Sequence, residues 1–294
     1  AKANKKLIAI IALLMLSLSV GWFIYNSIST QIPGERIYFT SDRSGKNEIH
    51  YLSDDGEIVK LTSSPDNSTS WGASPALNGR VYFTSNRSGK DEIYYLDNNS
   101  KIVKMTSSVG SSTSWGAYPA LNGRVYFTSD RSGKNEIYYL DNDAKIIQMT
   151  SSPDSSVSWG TSSASNGRVY FTSNRSGKNE IYYLDDDGEI VKMTSSPDNS
   201  TSWEVSPAVN GRVYFTSDRS GKKEIYYLDK KGKLVQMTSS PDSSTSWGSY
   251  PVINGRVYFT SNRSGKNEIY YLNNDGGIVQ MTFSPDSSIS WGVR

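Results

Sequence analysis

Cysteine is absent from the 294 residues, so disulfides and thiolate metal sites are excluded. Histidine occurs once, at His50, which leaves no histidine pair for a metal or a proton relay. Charge of one sign is also lacking. The 31 basic and 29 acidic side chains give a net charge of +2, and nothing in that balance points to nucleic acid. No catalytic set stands out, because no unique serine, cysteine or histidine has a partner at a telling spacing. No enzymatic activity, cofactor or metal is expected. Tyrosine (20) and glycine (24) are plentiful, with many Ser, Thr and Asn. Tyr and Thr favour strands, and Asn and Gly favour tight turns.

One long apolar run is present. Leu7 to Tyr25 reads LIAIIALLMLSLSVGWFIY and carries no charge. A helix of that length, rising about 1.5 Å per residue, crosses the roughly 30 Å apolar core of a bilayer. Lys2, Lys5 and Lys6 precede it, which places the N-terminus in the cytoplasm and the remainder outside. Residues 1–30 are therefore expected to form one hydrophobic α-helix, a membrane anchor or a filament core. Leu7, Ile11, Leu14, Leu18, Trp22 and Tyr25 would be its contact positions. The run resembles the N-terminal helices of type IV pilins: a continuous apolar stretch, small residues, an aromatic and a polar exit, here SVGWFIYNSIS. That resemblance implies a homo-oligomer assembled through the helix. Residues 31–35 (QIPGE) read as a linker.

Residues 36–294 repeat. RVYFTSNRSGKDEIYYLDN at Arg80 returns as RVYFTSDRSGKNEIYYLDN at Arg124 and as RVYFTSNRSGKNEIYYLDD at Arg168. The opening arginines are Arg36, Arg80, Arg124, Arg168, Arg212 and Arg256, always 44 residues apart. The tryptophans Trp71, Trp115, Trp159, Trp203, Trp247 and Trp291 keep the same step. Each copy predicts four short strands, in the second copy Trp71–Leu77, Arg80–Ser85, Glu92–Asp97 and Ile102–Ser107. Asn78-Gly79 suggests a type I′ hairpin turn. Four strands per 44 residues predict propeller blades. The first copy starts at its second strand, and Ser290–Arg294 (SWGVR) supplies the missing one. The expected fold is all-β: a six-bladed antiparallel propeller whose N- and C-terminal strands complete one blade, which removes a free sheet edge. A truncation near Ser288 should open the ring.

The phrases FTSDRSGKNEIYYL and LTSSPDNSTSWGASPALNGRVYFTS resemble the repeats of TolB-like, or WD-like, β-propellers over Arg36 to Arg294. The usual S-P-D-G turn before the second strand is here S-P-A-L-N-G. The resemblance implies an extracytoplasmic propeller, usually a binding scaffold, and names no ligand.

Several residues could carry a partner. Arg87 and Lys90, in the R-S-G-K turn near Glu92, could join five equivalents in a charged ring. A solvated hairpin turn with weak local ion pairs is the simpler reading. Tyr94 and Tyr95 point to opposite faces of one strand, so one of them faces out or lies between blades. The tryptophans suit packing between blades better than sugar-stacking platforms. Glu204 replaces the glycine after Trp, and Ser163 replaces a proline, both on the inner strand; a lone carboxylate on the channel wall could bind a cation or substrate. Asn-x-Ser/Thr occurs at Asn67, Asn86, Asn98, Asn174, Asn199 and Asn262 and could carry glycans. Asn86, Asn174 and Asn262 alternate with Asp42, Asp130 and Asp218, which turn chemistry alone explains. Short Asp-rich turns such as Asp185 to Gly188 read as hairpins, since they lack the length of a calcium loop. Two functions follow. The first is a non-enzymatic, pilin-like surface filament subunit with the propeller displayed and possible adhesive contacts. The second is a membrane-anchored extracytoplasmic propeller that binds a glycan or a surface protein.

Overall fold

The computed structural model describes residues 36–53, 56–185, 187–273 and 275–294. The expected N-terminal helix, with Leu7, Ile11, Leu14, Leu18, Trp22 and Tyr25, lies outside them. Six four-stranded antiparallel sheets make six blades. The first blade holds β1 (Ile37–Ser41), β2 (Glu48–Leu52) and β3 (Ile58–Lys60), and the second holds β4 (Ser70–Pro75), β5 (Val81–Ser85), β6 (Glu92–Leu96) and β7 (Ile102–Lys104). The third runs β8 (Ser114–Pro119), β9 (Val125–Ser129), β10 (Glu136–Leu140) and β11 (Ile146–Gln148). The fourth runs β12 (Ser158–Ser163), β13 (Val169–Ser173), β14 (Glu180–Leu184) and β15 (Ile190–Lys192). The fifth runs β16 (Ser202–Pro207), β17 (Val213–Ser217), β18 (Glu224–Leu228) and β19 (Leu234–Gln236). The sixth runs β20 (Ser246–Pro251), β21 (Val257–Ser261), β22 (Glu268–Leu272) and β23 (Ile278–Gln280). β24 (Ser290–Trp291) then pairs beside β1, Thr40 opposite Trp291 and Ser41 opposite Ser290. Backbone bonds between Tyr38 and Arg294 extend this closure.

Alternation along the two middle strands makes the core. Val81 and Phe83 face one side of the second sheet, with Tyr94 and Leu96 beside them, and meet Tyr38 and Ile49 of the first. The same layer recurs between successive blades. Phe39, Phe83, Phe127 and Phe171 have no exposed surface, and each such burial contributes about 2–3 kcal/mol. The first strand of each blade is innermost, so six first strands surround the axis.

Two local expectations change. Asn78 does not take a positive φ, whereas Gly79 does, at 81°. Gly79 N–H donates to the Ala76 carbonyl, and Ala76 N–H to that of Arg80. The hairpin is thus a three-residue loop with glycine in the left-handed position, not a type I′ turn. The fourth strand ends early, at Lys104, because Thr106 and Ser108 turn inward to bond Glu92.

Candidate functional site

The R-S-G-K turn is built into the fold. Glu92 is fully buried and accepts hydrogen bonds from Thr106 Oγ1, Ser108 N and Ser108 Oγ. Arg87 lies half-buried over the Phe83 and Tyr94 rings, at 5.5 and 5.3 Å. Its Nη2 donates to Ser70 Oγ at 3.0 Å and to Ser64 Oγ at 3.4 Å. Ser64 in turn donates to Glu48 of the preceding blade. Arg43, Arg87, Arg175, Arg219 and Arg263 each clamp their blade to the one before in this way; Arg131 bonds serines of its own blade only. Burial lowers the Arg87 pKa, while Tyr94 and Glu48 push it back up. Lys90 Nζ donates to the carbonyls of Ser108 and Gly110. Among the described residues Arg87 and Lys90 form no ion pair with Glu92, which instead has a weak one with Lys104 at 3.9 Å; the turn lysines do pair weakly in Lys134–Glu136 and Lys222–Glu224, also at 3.9 Å. Tyr94 is buried, so it offers no surface; Tyr95 is half-buried, with Arg80 stacked over it at 4.4 Å.

The sequons divide. Asn86, Asn174 and Asn262 accept backbone N–H bonds from Thr69, Val157 and Thr245 through Oδ1, as Asp130 does from Thr113. Asn67, Asn98 and Asn199 are exposed.

The axis carries the variation. RVYFTS and EIYYL are identical in copies two to six, whereas the inner strand reads WGASPAL, WGAYPAL, WGTSSAS, WEVSPAV and WGSYPVI, with WGVR closing the ring. A cavity of about 760 Å³ opens at the C-terminal ends of these strands. Prolines 75, 119, 207 and 251 line it with Tyr118, Tyr250 and Arg294. Leu77, Leu121, Val209 and Ile253 crown its mouth, each 67–76 % exposed. Tyr118, Tyr250 and Arg294 share one repeat position, which is serine in the other blades (Ser74, Ser162, Ser206). Tyr250 is pushed up to about 12 by burial, with Tyr118 adding and Arg294 opposing. Singling out these three required the same position-by-position comparison that finds Glu204. Arg36 and Ile37 also line the cavity, so the chain enters β1 at this mouth.

Glu204 sits at the inner strand's bulge, between Trp203 and Ser206 in the register. Its φ is 56°, at a position that is glycine in the other five copies. In those copies the glycine N–H donates to a threonine of the preceding blade, as Gly72 does to Thr40 and Gly248 to Thr216. At Glu204 that bond is missing, and Thr172 Oγ1 is buried without a partner. Thr216 Oγ1 donates to the Glu204 carboxylate at 3.0 Å. Burial nevertheless pushes the carboxyl's pKa up; Thr216, Arg294, Gly248 and Lys223 oppose this.

The tryptophans are not core. All six are half-buried, and none joins a hydrophobic cluster of the described residues. They ring the other end of the axis, about 20 Å from the apolar crown at roughly 3.3 Å per residue. One neighbouring pair, Trp71 and Trp115, approaches to 6.3 Å between ring centroids.

No protein-family model matches the chain, and no curated protein does. Solved structures do. TolB from Acinetobacter baumannii is 19 % identical with a TM-score of 0.69, over 92 % of this chain and 69 % of that one. Kuenenia stuttgartiensis hydrazine synthase is 13 % identical with a TM-score of 0.70, over 88 % of this chain and 46 % of that one. Virginiamycin B lyase from Staphylococcus aureus is 19 % identical with a TM-score of 0.60, over 82 % and 78 %. The fold is a six-bladed TolB-like propeller. The likeness at these identities is one of fold.

Proposed function

We propose that the chain is a non-enzymatic, extracytoplasmic binding propeller, held at the membrane through residues 1–30, whose axial cavity receives an apolar surface of a protein partner. The apolar crown around the cavity carries this reading. Four exposed aliphatic side chains at one mouth, backed by proline and tyrosine, suit a protein contact better than a sugar. The likeness to TolB structures supports placement outside the cytoplasm. Support for a non-enzymatic role comes from His50, which is 2 % exposed, stacked on Phe39 and lowered to about 4 by burial. The buried glutamates support it too, since their oxygens are taken up by Ser and Thr donors. The test is a photo-crosslinking amino acid at Leu121 in the native host, with Asn98 as control. A discrete adduct from Leu121 alone is expected; none, or the same adducts from both, overturns it.

The filament reading stands on a separate observation, the uncharged run from Leu7 to Tyr25. Electron microscopy of material released without detergent tests it. Regular filaments studded with discs support it, and discs that appear only with detergent overturn it.

A further inference from the structure

Beyond the axial cavity, the opposite end of the axis forms a second surface. Its six indoles, Trp71, Trp115, Trp159, Trp203, Trp247 and Trp291, are half-buried and outside the core. At the same end, each R-S-G-K turn closes on one polar residue: Asn47, Asp91, Asn135, Asn179, Lys223 and Asn267, one per blade. Two contacts fix this placement. Lys223 Nζ lies over the Trp203 ring at 5.8 Å, and the Lys223 carbonyl accepts from Ser246 N, the residue before Trp247. The Asn179 carbonyl likewise accepts from Ser202 N, the residue before Trp203. By the repeat, the last residue of each turn is therefore joined through its carbonyl to the next blade's inner strand, beside the indoles. The four asparagine amides are half-buried, and none makes a side-chain hydrogen bond among the described residues. Asp91 and Lys223 cancel in charge, so the belt is close to neutral.

We infer that this tryptophan–asparagine belt is a carbohydrate-binding surface for neutral pyranose glycans. An indole face is electron-rich and attracts the C–H face of a sugar ring. A free amide beside it supplies two donors and an acceptor for hydroxyls. A neutral belt does not favour a polyanion. The orientation agrees: Arg36 and Ile37 lie at the crowned mouth, so the belt is at the opposite end of the axis from the start of β1. Six indoles and four asparagines around one ring also let weak single contacts add up on a repetitive glycan. This surface is independent of the axial cavity, and either can fail alone.

The test titrates cellohexaose and chitohexaose into the full chain in lipid nanodiscs and follows tryptophan emission. A saturable change is expected with at least one sugar. Joint replacement Trp159→Ala and Trp203→Ala should weaken binding at least ~10-fold, about 1.4 kcal/mol. Asn179→Ala, in the turn that joins those two blades, should weaken it roughly 3-fold with an unchanged urea midpoint, which separates binding from folding. Leu121→Asp, at the other mouth, should leave it unchanged. No saturable response to either sugar up to about 10 mM overturns the proposal, as does a response that survives the Trp and Asn variants. Loss of the Leu121 crosslink with sugar binding intact would overturn only the axial reading.

Discussion

Single residues show how a repeat hides function inside structure. Arg175 stacks on Phe171 and Tyr182 and donates to Ser152, Ser158 and Ser173. Losing hydrogen bonds from a half-buried cation costs about 2–3 kcal/mol. Arg175→Ala should lower stability by that amount in urea titration; a change within about 0.5 kcal/mol would instead mark a free surface residue. Glu204 runs the other way. Its left-handed backbone and the orphaned Thr172 hydroxyl both cost stability, so Glu204→Gly should stabilise by about 1–2 kcal/mol. A residue that keeps such strain is a candidate for function. Because burial raises its pKa, Glu204 favours the fold when protonated. The deficit of the parent chain relative to Glu204→Gln should be absent at acid pH and grow as pH rises through the folded value. His50 shows the opposite sign. Its pKa is lowered from 6.5 to about 4, so the unfolded chain binds the extra proton between those values. Stability should climb from about pH 4 to pH 6.5, by no more than about 3 kcal/mol from this group, and His50→Tyr should flatten that rise.

Elements were the most legible level of the sequence. The 44-residue step, the four strands per copy and the closing SWGVR are period-and-turn signals, and each appears where the spacing puts it. Side-chain partners were less legible. Glu92 lies two residues beyond Lys90 in sequence, yet its partners come from Thr106 and Ser108, which only the folded blade brings near. The tryptophans are expected from the sequence to pack between blades, and Trp71 and Trp115 of adjacent blades do approach, but the indoles join no hydrophobic cluster among the described residues and keep partial exposure. A bulge follows Trp71, where Gly72 has a φ of 66°, and the indole beside it is half-buried. β24 also makes a direct prediction. Removing Ser290–Arg294 takes away its pairing with β1, the Arg43–Ser290 bond and the Gly292–Thr260 bond. The shortened chain should lose several kcal/mol and become open to limited proteolysis near Ile37. Unchanged thermal unfolding would mean the ring does not depend on that strand.

At the scale of the molecule, invariant middle strands form a nearly symmetric scaffold and the inner strands vary along its axis. The crowned mouth and the indole belt lie at opposite ends, and the chain enters at the former. Ten residues separate Tyr25 from Arg36 and span at most about 33–36 Å, so the anchoring proposed above would hold the propeller close to the membrane with its mouth on the tethered side. Because the chain has no cysteine, single cysteines report accessibility cleanly. The most direct measurement compares Leu121→Cys at the mouth with Val109→Cys, whose parent side chain is 85 % exposed, using a membrane-impermeant maleimide on intact cells. The prediction is that Val109→Cys is labelled in intact cells, while Leu121→Cys is protected there and becomes reactive after purification. Labelling of neither until the cells are lysed would contradict display outside the membrane. Equal labelling of both in intact cells would contradict an occupied mouth.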